Sequence, residues 1–204
     1  MKDFATAHRA VNINCDDFAN FWSLHTTFYD GTYCIHPAQL QLPLGCVSGD
    51  PSYKFYAGLG TMDLAARTAI FAPMMTDQLA NTGHDAEYLE LHKKKIRPLI
   101  RHANLYHTLP RPDGVHWDAI QYGYDALPEN RIGGAMFVVK PSPEEGNEKR
   151  LRVRGLNPDL TYNVNFYERK EQSYTASGKE LLEKGITVRM EEELASEMIF
   201  FEIR

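Results

Sequence analysis

Cysteine is scarce in this sequence: three in 204 residues, Cys15, Cys34 and Cys46. An odd number at wide spacing excludes a disulfide framework and a cysteine-rich zinc site, and the three are expected to be small buried hydrophobes. A basic surplus is equally absent. Lys plus Arg number 22 against 27 Asp plus Glu, for a net charge of -5, so no basic surplus is available to neutralise a phosphate backbone and no nucleic-acid partner is expected. No apolar run approaches the roughly 18 to 20 residues that cross a bilayer, so no membrane partner is expected either. The opening MKDFATAHRA lacks the apolar core of a signal peptide, which leaves the compartment open.

Familiar catalytic and metal signatures are also missing. The histidines, among them His25, His36, His84, His92, His102, His107 and His116, form no HExxH or HxH pattern, so no metal is assigned. The glycines of GLG at 58–60 are followed by neither GxGxxG nor a Walker lysine. No GxSxG elbow exists, and Ser48 in CVSGD has no local support as a nucleophile. No cofactor is expected. Internal repeats are absent, and low complexity is confined to PSPEEGNEK.

The remaining composition, 43% hydrophobic, 11% aromatic and 24% charged, is that of a globular chain long enough for one generous domain or two small ones. Its halves differ in kind. Residues 1–103 read as mainly helical. TMDLAARTAIFAPMM at 61–75 has apolar residues near helical spacing up to Pro73. DAEYLELHKKKIRPLIRHA places Tyr88, Leu89, His92, Ile96, Leu99 and Ile100 on one stripe, with Lys93 to Lys95 as a solvated opposite face and a kink or early end at Pro98.

Residues 104–204 read as strands: LYHTL at 105–109, VHWDAIQYGY at 115–124, IGGAMFVVK at 132–140, KRLRVRGL at 149–156, LTYNVNFYE at 160–168, ITVRM at 186–190 and EMIFFEI at 197–203. RPDG, LPEN, PSPEEGN and NPD separate them as turns. Such spacing implies an antiparallel sandwich, so the fold class is α+β. In LTYNVNFYE, Leu160, Tyr162, Val164 and Phe166 should face the core. SGKELLEKG, from Ser177 to Gly185, has the ends of one short helix.

Two groups could carry chemistry. ININCDDFANFW at 12–22 reads as a strand ending in Asp16 and Asp17, where barrel enzymes assemble their sites; equally, one aspartate could cap the helix that follows. Trp22 and Trp117, with Tyr122, Tyr124 and Tyr167, are candidates for a sugar-stacking face, or alternatively for the core.

The order of the segments resembles the C-terminal portion of family thirty-six glycoside hydrolases, the α-galactosidase type. RLRVRGLNPDLTYNV, SYTASGKELLEKGITVRM and ASEMIFFEI are similar to that family's closing sandwich: a glycine-leucine-aspartate/asparagine-proline turn before a tyrosine strand, then a serine-glycine-x-x-leucine-x-x-x-glycine helix. FYAGLGTMDLAARTAIFAPM resembles the last helix region of its (β/α)8 barrel, and KKKIRPLIRHANLYHTLPRPDG its link into the sandwich. The resemblance implies that residues 1–103 are the end of a catalytic barrel and 104–204 the sandwich. It also implies a parent that is a retaining enzyme acting on oligosaccharides through two carboxylates. The family's lysine-x-aspartate nucleophile segment is absent here. Its acid/base falls at CDD, with Asp16 aligning best and Asp17 next, although FANFWSLHT lacks the arginine that commonly follows. A whole barrel takes about 250 residues, so this chain alone is expected to be inactive, and apolar surface left open could make it a homo-oligomer. The alternative is a non-catalytic carbohydrate-binding or structural sandwich module.

Overall fold

A computed structural model describes residues 13–14, 21–43, 67, 70–71, 74–75, 85–192 and 194–204. The chain divides into two compact units, 1–92 and 93–204. The whole is α+β in character, mostly antiparallel sheet with a few helices.

In the first unit three short strands, β1 (Ile13–Asn14), β2 (Leu40–Pro43) and β3 (Met74–Met75), form a parallel sheet in the order β1-β2-β3. Between β1 and β2 lies α1 (Phe21–Gly31), which packs on β2. Phe28, Tyr29, Leu40, Ile70, Phe71 and Tyr88 are buried. The segment at 67–70 is tied to α2 (Asp85–Leu91) by two bonds: Arg67 Nε donates to the Tyr88 hydroxyl at 3.1 Å, and His92 Nδ1 donates to the Ile70 carbonyl at 2.8 Å. Cys34 is exposed, against the expectation of burial, because it lies in the turn that follows α1. Cys15 and Cys46, Ser48, the GLG glycines and most of the 61–75 helix lie outside the described residues.

The expected kink takes a definite form. Residues His92–Ile96 make one π-helical turn, after which α3 (Arg97–His102) resumes with Pro98 in its first turn. Pro98 has no N–H to offer the carbonyl four residues back. That carbonyl, on Lys94, accepts Asn130 Nδ2 at 3.2 Å instead. Of the stripe, Tyr88, Ile96, Leu99 and Ile100 are buried. Of the lysine run, Lys93 and Lys94 are exposed as expected, whereas Lys95 Nζ donates to Glu202 at 2.7 Å and sits 4.5 Å from the Phe200 ring centroid. α3 packs on β5 and β6 and belongs to the second unit, so this unit opens at residue 93, before the change in composition at 104.

That unit is a sandwich. β4 (Asn104–His107), β5 (Asp118–Gly123), β6 (Ile132–Lys140), β11 (Ala195–Ile203), β8 (Thr161–Phe166) and β9 (Tyr174–Ser177) make a six-stranded antiparallel sheet in that spatial order. β7 (Glu148–Leu151) and β10 (Ile186–Arg189) make a two-stranded antiparallel sheet. α4 (Gly178–Lys184) joins β9 to β10. The core between the sheets takes Met136, Val138, Tyr162, Val164, Ile199 and Phe201 from the large sheet and Leu151, Ile186 and Val188 from the small one. β6 and β11 are buried on both faces, as their near-continuous apolar sequences require. The expected strand at 149–156 stops at Leu151 because the Arg154 backbone is taken by a side chain: its N–H donates to Gln121 Oε1 at 3.1 Å and its carbonyl accepts Gln121 Nε2 at 2.6 Å. Edge strand β9 escaped the sequence reading, since its YTAS sequence has no apolar run.

Candidate functional site

The residues expected to carry chemistry fall in three places. Asp16 and Asp17 follow the last residue of β1, Asn14, and lie outside the described residues. Trp22 stands in the first turn of α1, with its side chain likewise outside them. Trp117 is 1% exposed and belongs to the sandwich core, so it presents no face to a sugar. Trp117, just before β5, and Ala119 within it both enter the core between the sheets, and Tyr122 is completely buried. Tyr124 is half-buried, its ring 6.2 Å from that of His102, and Tyr167 is also half-buried. Among the described residues no group of His, Cys, Asp and Glu is placed to hold a metal ion.

What the second unit does bring together is its two sequence motifs. In GLNPDLTY, Gly155 has φ of +63° with the Tyr106 ring against it, a position a Cβ would deny, and Leu156 is buried. Asn157 Oδ1 accepts the Asp159 N–H at 2.9 Å, closing the turn. The Asn157 N–H donates to the Tyr162 hydroxyl at 3.0 Å, so the tyrosine of the next strand locks the turn that precedes it. In SGKELLEKG, the Ser177 hydroxyl caps α4 by accepting the Glu180 N–H at 3.2 Å, Leu181 enters the core, and Gly185 with φ of +71° ends the helix. The motifs then meet: the Gly178 N–H donates to the Leu160 carbonyl at 2.7 Å and the Lys179 N–H to the Pro158 carbonyl at 3.1 Å. A Cβ on Gly178 would lie 1.9 Å from the Asn157 carbonyl oxygen. The turn therefore serves as the seat for the first turn of α4. Its role is architectural: the bonds it makes go to backbone or to the Tyr162 hydroxyl.

Two buried charges were not singled out from sequence. Glu197 of β11 is fully buried and accepts from the N–H groups of Glu168 at 2.9 Å, Arg169 at 3.1 Å and Met198 at 3.1 Å, and from Arg169 Nη1 at 3.2 Å. Burial nonetheless outweighs these donors and raises its carboxyl above the usual glutamate value. Arg169 also pairs with Glu192. Lys140, fully buried at the end of β6, donates to Asn147 Oδ1 at 2.6 Å and to the Met190 carbonyl at 2.8 Å. A signal for both existed: each falls on the core-facing register of an otherwise apolar strand, Glu197 with Ile199 and Phe201, Lys140 with Met136 and Val138. Both tie loops to the sandwich and neither is open to a substrate.

Residues 129–201 match the model of the glycosyl hydrolase family 36 C-terminal domain. Over those residues the sandwich is thus similar to the family 36 C-terminal domain. Solved structures agree on the fold. The family 36 α-galactosidase AgaA from Geobacillus stearothermophilus is 14% identical with a TM-score of 0.71, over 93% of this chain and 25% of that one. AgaB from the same organism is 13% identical with a TM-score of 0.70, over 93% and 25%. The galactosidase domain of the α-galactosidase-sucrose kinase AgaSK is 18% identical with a TM-score of 0.67, over 93% and 26%. The chain spans about a quarter of the length of these proteins. None of the curated proteins matches it in sequence. The two motifs that meet at Gly178 both lie within the matched segment.

Proposed function

We propose that this chain is the C-terminal part of a retaining α-galactosidase-like hydrolase. Its sandwich supports the catalytic barrel, and the nucleophile belongs to a segment that this sequence does not contain. The observation that carries the reading is the family 36 C-terminal match at 129–201. It is supported by three parallel strands preceding the sandwich, the arrangement expected of the closing strands of a barrel. In this reading residues 1–92 are the end of that barrel, and Asp16, just past β1, is the acid/base, with Asp17 as the next candidate. Trp22 lies close enough in sequence to border the sugar, and the parent's substrates are oligosaccharides ending in α-galactose. AgaA has been solved with raffinose and with stachyose, which gives the class of substrate to try.

Retention requires two carboxyl groups roughly 5 to 5.5 Å apart, one attacking the anomeric carbon while the other donates and later removes a proton. One of the pair alone gives no turnover. The test is hydrolysis of p-nitrophenyl α-galactoside by the 204-residue chain. The expected result is no nitrophenol release above the uncatalysed rate, and release that Asp16→Asn abolishes would overturn the reading.

A further inference from the structure

The outer face of β7 and of the segment that follows it carries a row of arginines. From Glu148 to Arg154 burial alternates strictly at the even positions: Leu151 and Val153 point into the core, while Arg150, Arg152 and Arg154 are exposed. Residues two apart on extended backbone stand about 6.7 Å from one another, so the three positions span roughly 13 Å along one face. Among the described residues those of Arg152 and Arg154 have no hydrogen-bond or ion-pair partner. Arg150 uses only Nε, on the Lys184 carbonyl at 2.7 Å, and its cross-strand neighbour is the uncharged Thr187. Of the nearby acids, Glu148 is held by Arg189 and Glu180 by Lys184, leaving Glu183 on α4. In a chain of net charge -5, this is an unneutralised cationic strip.

We propose that the row Arg150, Arg152 and Arg154 binds the carboxylates of an acidic polysaccharide, a polyuronate, and holds the parent enzyme against it. The proposal rests on the reading of the chain as part of a glycoside hydrolase. Guanidinium groups at regular intervals suit a linear polymer with carboxylates along its length, each planar fork matching one carboxylate. An acidic protein is the weaker candidate. Stable protein interfaces need a desolvated apolar or aromatic centre, and the exposed large hydrophobics among the described residues, Tyr33, Leu127 and Tyr174, all lie off β7, β10 and the 152–154 segment. A hydrated polyanion held by charge needs no such centre. Attachment would raise the concentration of enzyme at its neutral substrate wherever the two polymers occur together.

The test is affinity electrophoresis of the 204-residue chain through gels containing polygalacturonate, galactomannan or polyglutamate, at about 20 mM and about 300 mM salt. Expected are retardation by polygalacturonate at low salt, its loss at high salt, none by galactomannan, and at least a tenfold weaker retardation of Arg152→Glu/Arg154→Glu. Those two side chains make no hydrogen bond or ion pair among the described residues, so the variant should keep the wild-type melting temperature. Absence of retardation, equal retardation of the variant, or stronger retardation by polyglutamate would each overturn the proposal. None of these outcomes depends on catalysis, so they are separable from failure of the hydrolase reading.

Discussion

Replacing Gly178 by alanine sets helix propensity against packing, and the structure says which prevails. Gly178 is the first residue of α4, where alanine is ordinarily the better helix former by about 0.5–1 kcal/mol. The added Cβ would lie 1.9 Å from the Asn157 carbonyl oxygen and 2.8 Å from its carbon. The carbonyl would have to retreat by roughly 1 Å to reach the shortest contacts that real Cβ atoms make, and such overpacking costs about 1–3 kcal/mol. The retreat also lengthens the bonds from Gly178 N–H to Leu160 and from Lys179 N–H to Pro158, at 2.7 and 3.1 Å, each worth about 0.5–1.5 kcal/mol. Setting the helix gain against these terms leaves a loss of about 2–4 kcal/mol. Equilibrium urea unfolding followed by far-UV circular dichroism measures it, with the slope unchanged. The exposed neighbour Lys179→Ala should fall within about 0.5 kcal/mol of wild type. A Gly178→Ala chain as stable as the parent, or more stable, would refute the claim that the asparagine turn seats α4.

Three further outcomes follow from the same geometry. Glu197→Gln removes a buried acceptor charge beside Arg169 and should cost about 2–4 kcal/mol, less than a fully broken buried pair because Arg169 keeps Glu192. Because the folded carboxyl sits above 4.5, the unfolded chain releases its proton first as pH rises. Wild-type stability should therefore fall with rising pH just above 4.5, a slope that Glu197→Gln should lack in urea titrations across pH. His116 is held above its ordinary value by its bond to Asp113 at 2.6 Å, so Asp113→Asn should move the His116 NMR titration midpoint down toward 6.5; an unmoved midpoint would contradict the contact. Finally, residues 93–204 should fold as a unit, while residues 104–204, lacking α3, uncover apolar side chains on β5 and β6. Losing buried Leu99 and Ile100 forfeits roughly 3–6 kcal/mol, so the shorter piece should bind a hydrophobic dye and aggregate where the longer one does not.

The sandwich was largely legible in the sequence because its strands alternate cleanly and its turns carry glycine, proline and asparagine. IGGAMFVVK at 132–140 became β6 over the same residues, and SGKELLEKG became α4 with the expected Ser177 and Gly185 ends. What escaped was decided by distant partners. Gln121 ends β7 by taking the Arg154 backbone, and Asn130 accommodates the proline bend by reaching Lys94. Glu202 draws Lys95 out of the solvent face that local periodicity assigned to it. Trp117 illustrates the limit at the candidate site: residue type offered a sugar platform, and only the pairing of β5 with β6 decides which face is closed. Asp16 and Asp17 rest on their place after β1 and on the family resemblance alone.

The most direct measurement of the central claim is a chimera. AgaA, whose chain this one covers by 25%, would have its C-terminal quarter exchanged for the present 204 residues, and raffinose hydrolysis would be followed by galactose release. The account predicts turnover that disappears with Asp16→Asn and returns on reversion. A folded, soluble chimera without turnover, or one indifferent to both Asp16→Asn and Asp17→Asn, would contradict it.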